Sequence, residues 1–230
     1  MKAKGIIIIV WLLTTYTINI HSQTVEQPNY ALKNPETLEI SKVEITTGKT
    51  VIYMTIENRI ERGYFCADKN IFIVYPDGTR SKLTSSNGIP VCPETYKFKT
   101  IGEKLQFTLE FPPLKTGTKW IDIVEDCNEN CFSFYGVTLN TELNGKINEA
   151  LSMAEKGEIK RAIAFYKDIL NSLLAADQGI KGALYTDIIT LLLKTGDKVG
   201  ADEWYEKMVV SKAPRLDLYI KNLNSRGIKY

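Results

Sequence analysis

Histidine is almost missing from this chain: His21 is the only one in 230 residues, and it lies within the first 22 residues, just past the first apolar run. Beyond those 22 residues no Ser-His-Asp or Cys-His arrangement can form, and no histidine-ligated metal site can either. An excess of charge of one sign is missing too. The 29 Lys and Arg face 27 Asp and Glu, and setting aside Lys2 and Lys4 leaves 27 against 27. A formally neutral chain lacks the basic surface that a phosphate backbone requires, so nucleic acid is not an expected partner. Cysteine is absent between residues 5 and 65, which excludes a lipid-anchored cysteine just after the first segment.

What is present begins with residues 1–22, expected to be an export signal. Lys2 and Lys4 form its charged start, and Gly5 to Ile20 is an apolar run broken by threonines, a tyrosine and an asparagine. Ile20-His21-Ser22 ends on a small residue, so cleavage is expected after Ser22, leaving Gln23 first. The competing reading is an uncleaved anchor, but the run is short and weakly apolar at its far end, where a spanning helix wants about 20 apolar residues. No stable membrane insertion is expected after cleavage. Roughly 208 residues then remain, room for two ordinary domains.

The four cysteines, Cys66, Cys92, Cys127 and Cys131, fall within one stretch. An even number in an exported chain suggests disulfides. Three pairings exist. The favoured one is Cys66–Cys92 with Cys127–Cys131, because the second pair is so close in sequence; free buried thiols are the alternative. Three residues separate Cys127 from Cys131, not the two of a thiol-redox motif.

Composition changes near residue 140, from β-branched and aromatic residues with regular turn signals to Ala, Leu, Lys and Glu at helical spacing. The fold class expected is therefore multidomain, all-β followed by all-α. Residues 23–36, with Pro28 and Pro35, read as an irregular leader, 37–140 as a β-sandwich and 141–230 as a helical domain. Strands are predicted over 38–46, with a bulge at Ser41-Lys42, and over 50–58, 64–67, 71–75, 80–84, 95–100, 104–111, 119–125 and 132–139. Residues 85–93 read as a loop. The layout, with Gly88-Ile89-Pro90, Phe107 to Leu114, Ile121 to Glu125 and Phe134 to Val137, resembles immunoglobulin-like sandwiches attached to exported proteins of anaerobic Gram-negative bacteria. That resemblance carries no activity.

In the second half one phrase occurs twice, 39 positions apart: EKGEIKRAIAFYKDIL at 155–170 and KTGDKVGADEWYEKMV at 194–209. Gly157 aligns with Gly196, Glu158 with Asp197, Ala162 with Ala201, Phe165 with Trp204 and Tyr166 with Tyr205. A glycine suits a tight reversal between antiparallel helices, an acid suits a helix start, a small Ala permits close approach and a Tyr fills the next gap. This order resembles the turn and second helix of the tetratricopeptide repeat. The period exceeds that family's, about 34, and Ile189 stands where the first helix of the second unit would carry a small residue. Two such hairpins and a fifth helix after Pro214 are fewer than the three units a stable stack usually needs, so the array is expected to lean on the sandwich or on a partner.

Candidate sites are few. Asp122, Glu125, Asp126, Asn128, Glu129 and Asn130 supply oxygen ligands, but their spacing fits no standard calcium loop, and a solvated hairpin end is the preferred reading. The same carboxylates are a remote candidate for a glycosidase pair. Tyr64, Tyr75, Tyr96, Trp120 and Tyr135 are candidates for stacking on sugar rings or for core packing. The tail from Lys207 carries six bases against one acid and reads as a solvated face. No catalytic residue, cofactor or metal is expected. The expected work is protein–protein interaction as a scaffold in the periplasm or at the surface of a bacterial envelope. The helical groove would receive a peptide or partner helix, with Asn144, Asn148, Tyr185 and Ile189 lining the face. The alternative is a carbohydrate-binding sandwich.

Overall fold

A computed structural model describes residues 22–128 and 130–228. The expected export signal, apart from Ser22, and Glu129 lie outside the described residues. The first half is built of antiparallel strands: β1 (Gln23–Glu26), β2 (Leu32–Asn34), β3 (Leu38–Ile45), β4 (Thr50–Glu57), β5 (Tyr64–Phe65), β6 (Ile71–Val74), β7 (Arg80–Lys82), β8 (Ser85–Asn87), β9 (Tyr96–Lys97), β10 (Lys104–Phe111), β11 (Trp120–Glu125) and β12 (Ser133–Thr138). One sheet runs β1-β3-β4-β10-β8, a second runs β2-β12-β11-β6-β7, and β5 pairs with β9.

Side-chain alternation decides which residues face the core. On β4, Ile52, Met54 and Ile56 are buried while Val51, Tyr53 and Thr55 are half-exposed; on β10, Phe107, Leu109 and Phe111 point inward. These meet Ile71, Ile73, Ile121, Ile123 and Phe134 of the opposing sheet, and Phe132 just before β12, in one apolar cluster. The register of β3 on β4 shifts between Ile40 and Lys42, where the sequence pattern slips. Two expectations need correction. Residues 23–36 are not an irregular leader: β1 pairs with β3 and β2 with β12. Residues 85–93 are not all loop, since β8 extends the first sheet along β10. Disulfides join Cys66 to Cys92 and Cys127 to Cys131.

The second half is helical: α1 (Thr141–Glu155), α2 (Ile159–Asn171), a 3-10 helix (Ala175–Ile180), α3 (Lys181–Lys194), α4 (Lys198–Val210) and α5 (Leu216–Ser225). Only Leu139 and Asn140 separate β12 from α1, and Asn140 caps the helix by accepting from the Glu142 and Leu143 amides. The helices pack in chain order, α1 on α2, α2 on α3 and α3 on α4, while α5 returns to α3.

The two copies of the repeated phrase adopt one geometry. Gly157 and Gly196 both have φ of 81°, a left-handed conformation that costs a residue with a Cβ about 1 kcal/mol. The following amides bond back over five residues, Glu158 to Met153 at 2.9 Å and Asp197 to Leu192 at 3.0 Å, which satisfies helix-end carbonyls. Ala162 and Ala201 are both wholly buried where helices approach closely.

Candidate functional site

The helices do lean on the sandwich, and a polar joint holds them there. Asn29, between β1 and β2, donates from its backbone amide to Asn144 Oδ1 at 2.7 Å and from Nδ2 to Asn148 Oδ1 at 3.0 Å. Asn144 Nδ2 donates to the Thr138 carbonyl at 3.0 Å, and the Thr138 amide donates to the Asn29 carbonyl at 2.8 Å. The ring closes through three segments, so every polar group of the buried Asn144 side chain is used within the chain. Asn140 adds a link, its Nδ2 donating to both carboxylate oxygens of buried Asp177 at 3.3 Å.

A second part of the joint is ionic. Arg215, just before α5, donates to both oxygens of Asp122 on β11, and the Gly136 amide donates to the same carboxylate at 2.8 Å. The guanidinium carbon lies 5.3 Å from the Trp120 ring centre and 5.0 Å from that of Tyr135, within reach of cation–π attraction. Burial pushes the Asp122 carboxyl above its ordinary value, against the lowering pull of Arg215. The Arg215 backbone sits at φ of 58°, a left-handed angle uncommon for a residue with a side chain.

The third part is backbone contact. Gly136 has φ of 63°, and a Cβ there would strike the Gly179 carbonyl; a Cβ on Gly179 would strike the Trp120 ring. The 3-10 helix therefore lies directly on β12 and β11. Nearby, a crevice of about 180 Å³ is lined on the sandwich side by Tyr30 and Lys33 and on the helical side by Asp187, Tyr219 and Arg226. Burial pushes the Asp187 carboxyl up to about 7, with the Arg226 charge pulling the other way.

The four residues expected to line a partner groove are dispersed. Asn144 is buried and Asn148 is bonded to Asn29, so both belong to the joint. Ile189 is 0% exposed in the helical core, where its side chain meets other helices. Tyr185 is partly exposed on α3, with its ring 5.9 Å from that of Trp204 on α4. The ammonium groups of Lys167 and Lys207 lie 5.0 and 4.6 Å from the Trp204 ring centre. This aromatic and cationic cluster is partly exposed on the helical half.

The carboxylates of the β11 end are not a solvated cluster throughout. Asp122 serves the joint, and buried Glu125 accepts the Asp68 amide at 2.8 Å and the Phe132 amide at 3.0 Å. Burial raises the Glu125 carboxyl. Among the described residues no group of three or more His, Cys, Asp and Glu side chains converges as a metal site, and no helix is long and apolar enough to cross a membrane. Of the aromatic candidates, Tyr75 and Trp120 are buried, Tyr96 donates to Glu103 at 2.7 Å, Tyr135 lies under Arg215, and Tyr64 stands exposed.

Sequence reasoning missed Arg215, Asn29, Gly136 and Gly179. The first was absorbed into a basic tail, Gly136 was read only as part of a strand, and Asn29 and Gly179 sit in segments without periodic pattern. Comparison of the chain with protein-family models, with curated proteins and with solved structures returns no match.

Proposed function

We propose that the chain is an exported, non-enzymatic interaction or scaffold protein of a bacterial envelope, with an immunoglobulin-like sandwich carrying a short tetratricopeptide-like array. The observation that carries this reading is the equivalence of the two hairpins: Gly157 and Gly196 at the same φ, Ala162 and Ala201 equally buried. Stacked hairpins of this kind present extended surfaces to other proteins. Two disulfides in the sandwich support an oxidising compartment. The receiving surface is Tyr185 and Trp204 with their flanking lysines, which suits an acidic peptide or partner helix.

A photo-crosslinking residue at position 185 or 204 of the full chain, expressed in its native cell, tests this. Capture of one protein species, lost on Trp204→Ala, supports the reading. Absence of any adduct, with glycan binding retained by residues 23–140 alone, would replace it with the carbohydrate-binding alternative.

A further inference from the structure

One end of the sandwich carries large apolar side chains in the open. Ile60 is 66% exposed, Tyr64 66% and Ile101 60%. Ile60 and Ile101 come from two neighbouring connections, the β4–β5 loop and the β9–β10 loop, and Tyr64 opens β5. Asn58 ties these loops together: its amide donates to the Glu103 carbonyl at 2.8 Å, its Nδ2 to the Thr100 carbonyl at 2.8 Å, and its carbonyl accepts the Gly102 amide at 2.7 Å. The Phe98 amide adds a bond to the Gly63 carbonyl at 2.9 Å. The Cys66–Cys92 disulfide and the Ala67–Val91 bridge fasten the chain behind them. Both isoleucines are thus held outward on a braced platform, so presenting them to a partner requires little ordering.

The charge around them is mixed, with bases in excess. The two loops with the residues that flank them, 57–64 and 96–104, hold Arg59, Arg62, Lys97, Lys99 and Lys104 against Glu57, Glu61 and Glu103, five bases and three acids, a net of +2. The remainder of residues 23–140 holds eight bases and 12 acids, a net of −4. Among the described residues, Arg62 and Lys97 form no ion pair with an acid, while the Lys99 charge helps to hold the Glu103 carboxyl below its ordinary value. The sandwich is therefore an acidic body with one basic, apolar pole. The helices start at the other end: the Gln23 side chain, paired beside Ile45, reaches the Leu139 carbonyl. Isoleucines at loop tips ringed by bases suit an interface that is apolar below and negatively charged above.

We propose that this pole docks on an anionic lipid surface, with Ile60 and Ile101 entering the headgroup–acyl boundary while Arg62, Lys97 and Lys99 meet lipid phosphates. Tyr64 lies at headgroup level, where its ring and hydroxyl are both accommodated. The attraction is partly ionic and exposed, so it weakens as salt rises.

The test uses the chain from Gln23, which contains every described element, with vesicles of phosphatidylcholine alone and of phosphatidylcholine with phosphatidylglycerol. Sedimentation should show binding to the anionic vesicles and at least tenfold weaker binding to the neutral ones. Ile60→Ser with Ile101→Ser should lower anionic binding at least tenfold, and Lys97→Glu with Lys99→Glu should remove the lipid preference. These positions are exposed, so unchanged thermal unfolding verifies the fold of each variant. In a second measurement, Ile101→Trp should shift its fluorescence to the blue with anionic vesicles only. Failure to bind them, or binding indifferent to the isoleucine pair or to the lysine pair, overturns the proposal. So does capture of a protein by a crosslinker at position 60 while vesicles are ignored.

Discussion

Replacing Arg215 with methionine removes the charge that faces Asp122 while keeping an unbranched apolar stem against Trp120 and Tyr135. The two side chains are 17% and 9% exposed, so the pair is shielded from water on both sides. Breaking such a pair from one side typically costs about 3–5 kcal/mol, because a buried charge is left without a partner. Here the loss is moderated, since Asp122 keeps the Gly136 amide and has a raised pKa that eases protonation. Arg215→Met should therefore cost about 3 kcal/mol and Asp122→Asn about 2 kcal/mol. The double variant should cost less than the sum by about 1–3 kcal/mol, the coupling of two groups in contact. Trp120 lies in the joint, so a Trp204→Phe background makes it the one tryptophan of the chain from Gln23. Urea unfolding followed by Trp120 fluorescence then reports the joint itself. Single losses below about 1 kcal/mol, or single losses that simply add, would refute the view that this pair fastens helices to sandwich.

Other perturbations follow from the same geometry. Gly179→Ala places a methyl group in the Trp120 ring and should destabilise by about 1–3 kcal/mol, read as a lower urea midpoint. Asn144→Ala strips partners from the Asn29 amide and the Thr138 carbonyl and should cost about 2 kcal/mol, with faster amide exchange at Asn29. Asp187 has a folded value above its unfolded one, so it contributes stability that is complete below about pH 4 and lost as pH rises through about 7. Asp187→Asn should thus match the parent at pH 4 and melt higher at pH 8, by about 1–2 kcal/mol once its partial exposure is allowed for. An equal difference at both pH values would refute that assignment.

Much of the frame was legible because it follows from periodicity. The alternation of β4 and β10, the slip at Ser41 and the helix spacing after residue 140 all correspond to observed elements, and the repeated glycines mark two equivalent turns. Strands β1, β2 and β8 were not legible, since three or four residues beside Pro28, Pro35 or a serine pair give no alternation to read. They exist because a neighbouring strand offers unpaired backbone groups. The joint was hidden for another reason. Asn29, Thr138 and Asn144 are ordinary polar residues until the fold brings them together, and Arg215 among five other tail bases carries no mark of burial. Ile189 illustrates the converse: helix position suggested a groove, while the third helix turns it into the core.

The meeting of Gly136 with Gly179 has a consequence for how such a chain could change. Neither position has room for even a methyl group, and only two residues, Leu139 and Asn140, join the last strand to the first helix. The two halves are therefore not interchangeable modules. A different sandwich set in front of these helices would need a bare backbone at the same height, a carboxylate where Asp122 stands and an amide where Asn29 stands. Without all three, the helical half would lose its seat along with its neighbour. The joint thereby fixes the angle between the helices and the Ile60–Ile101 end of the sandwich.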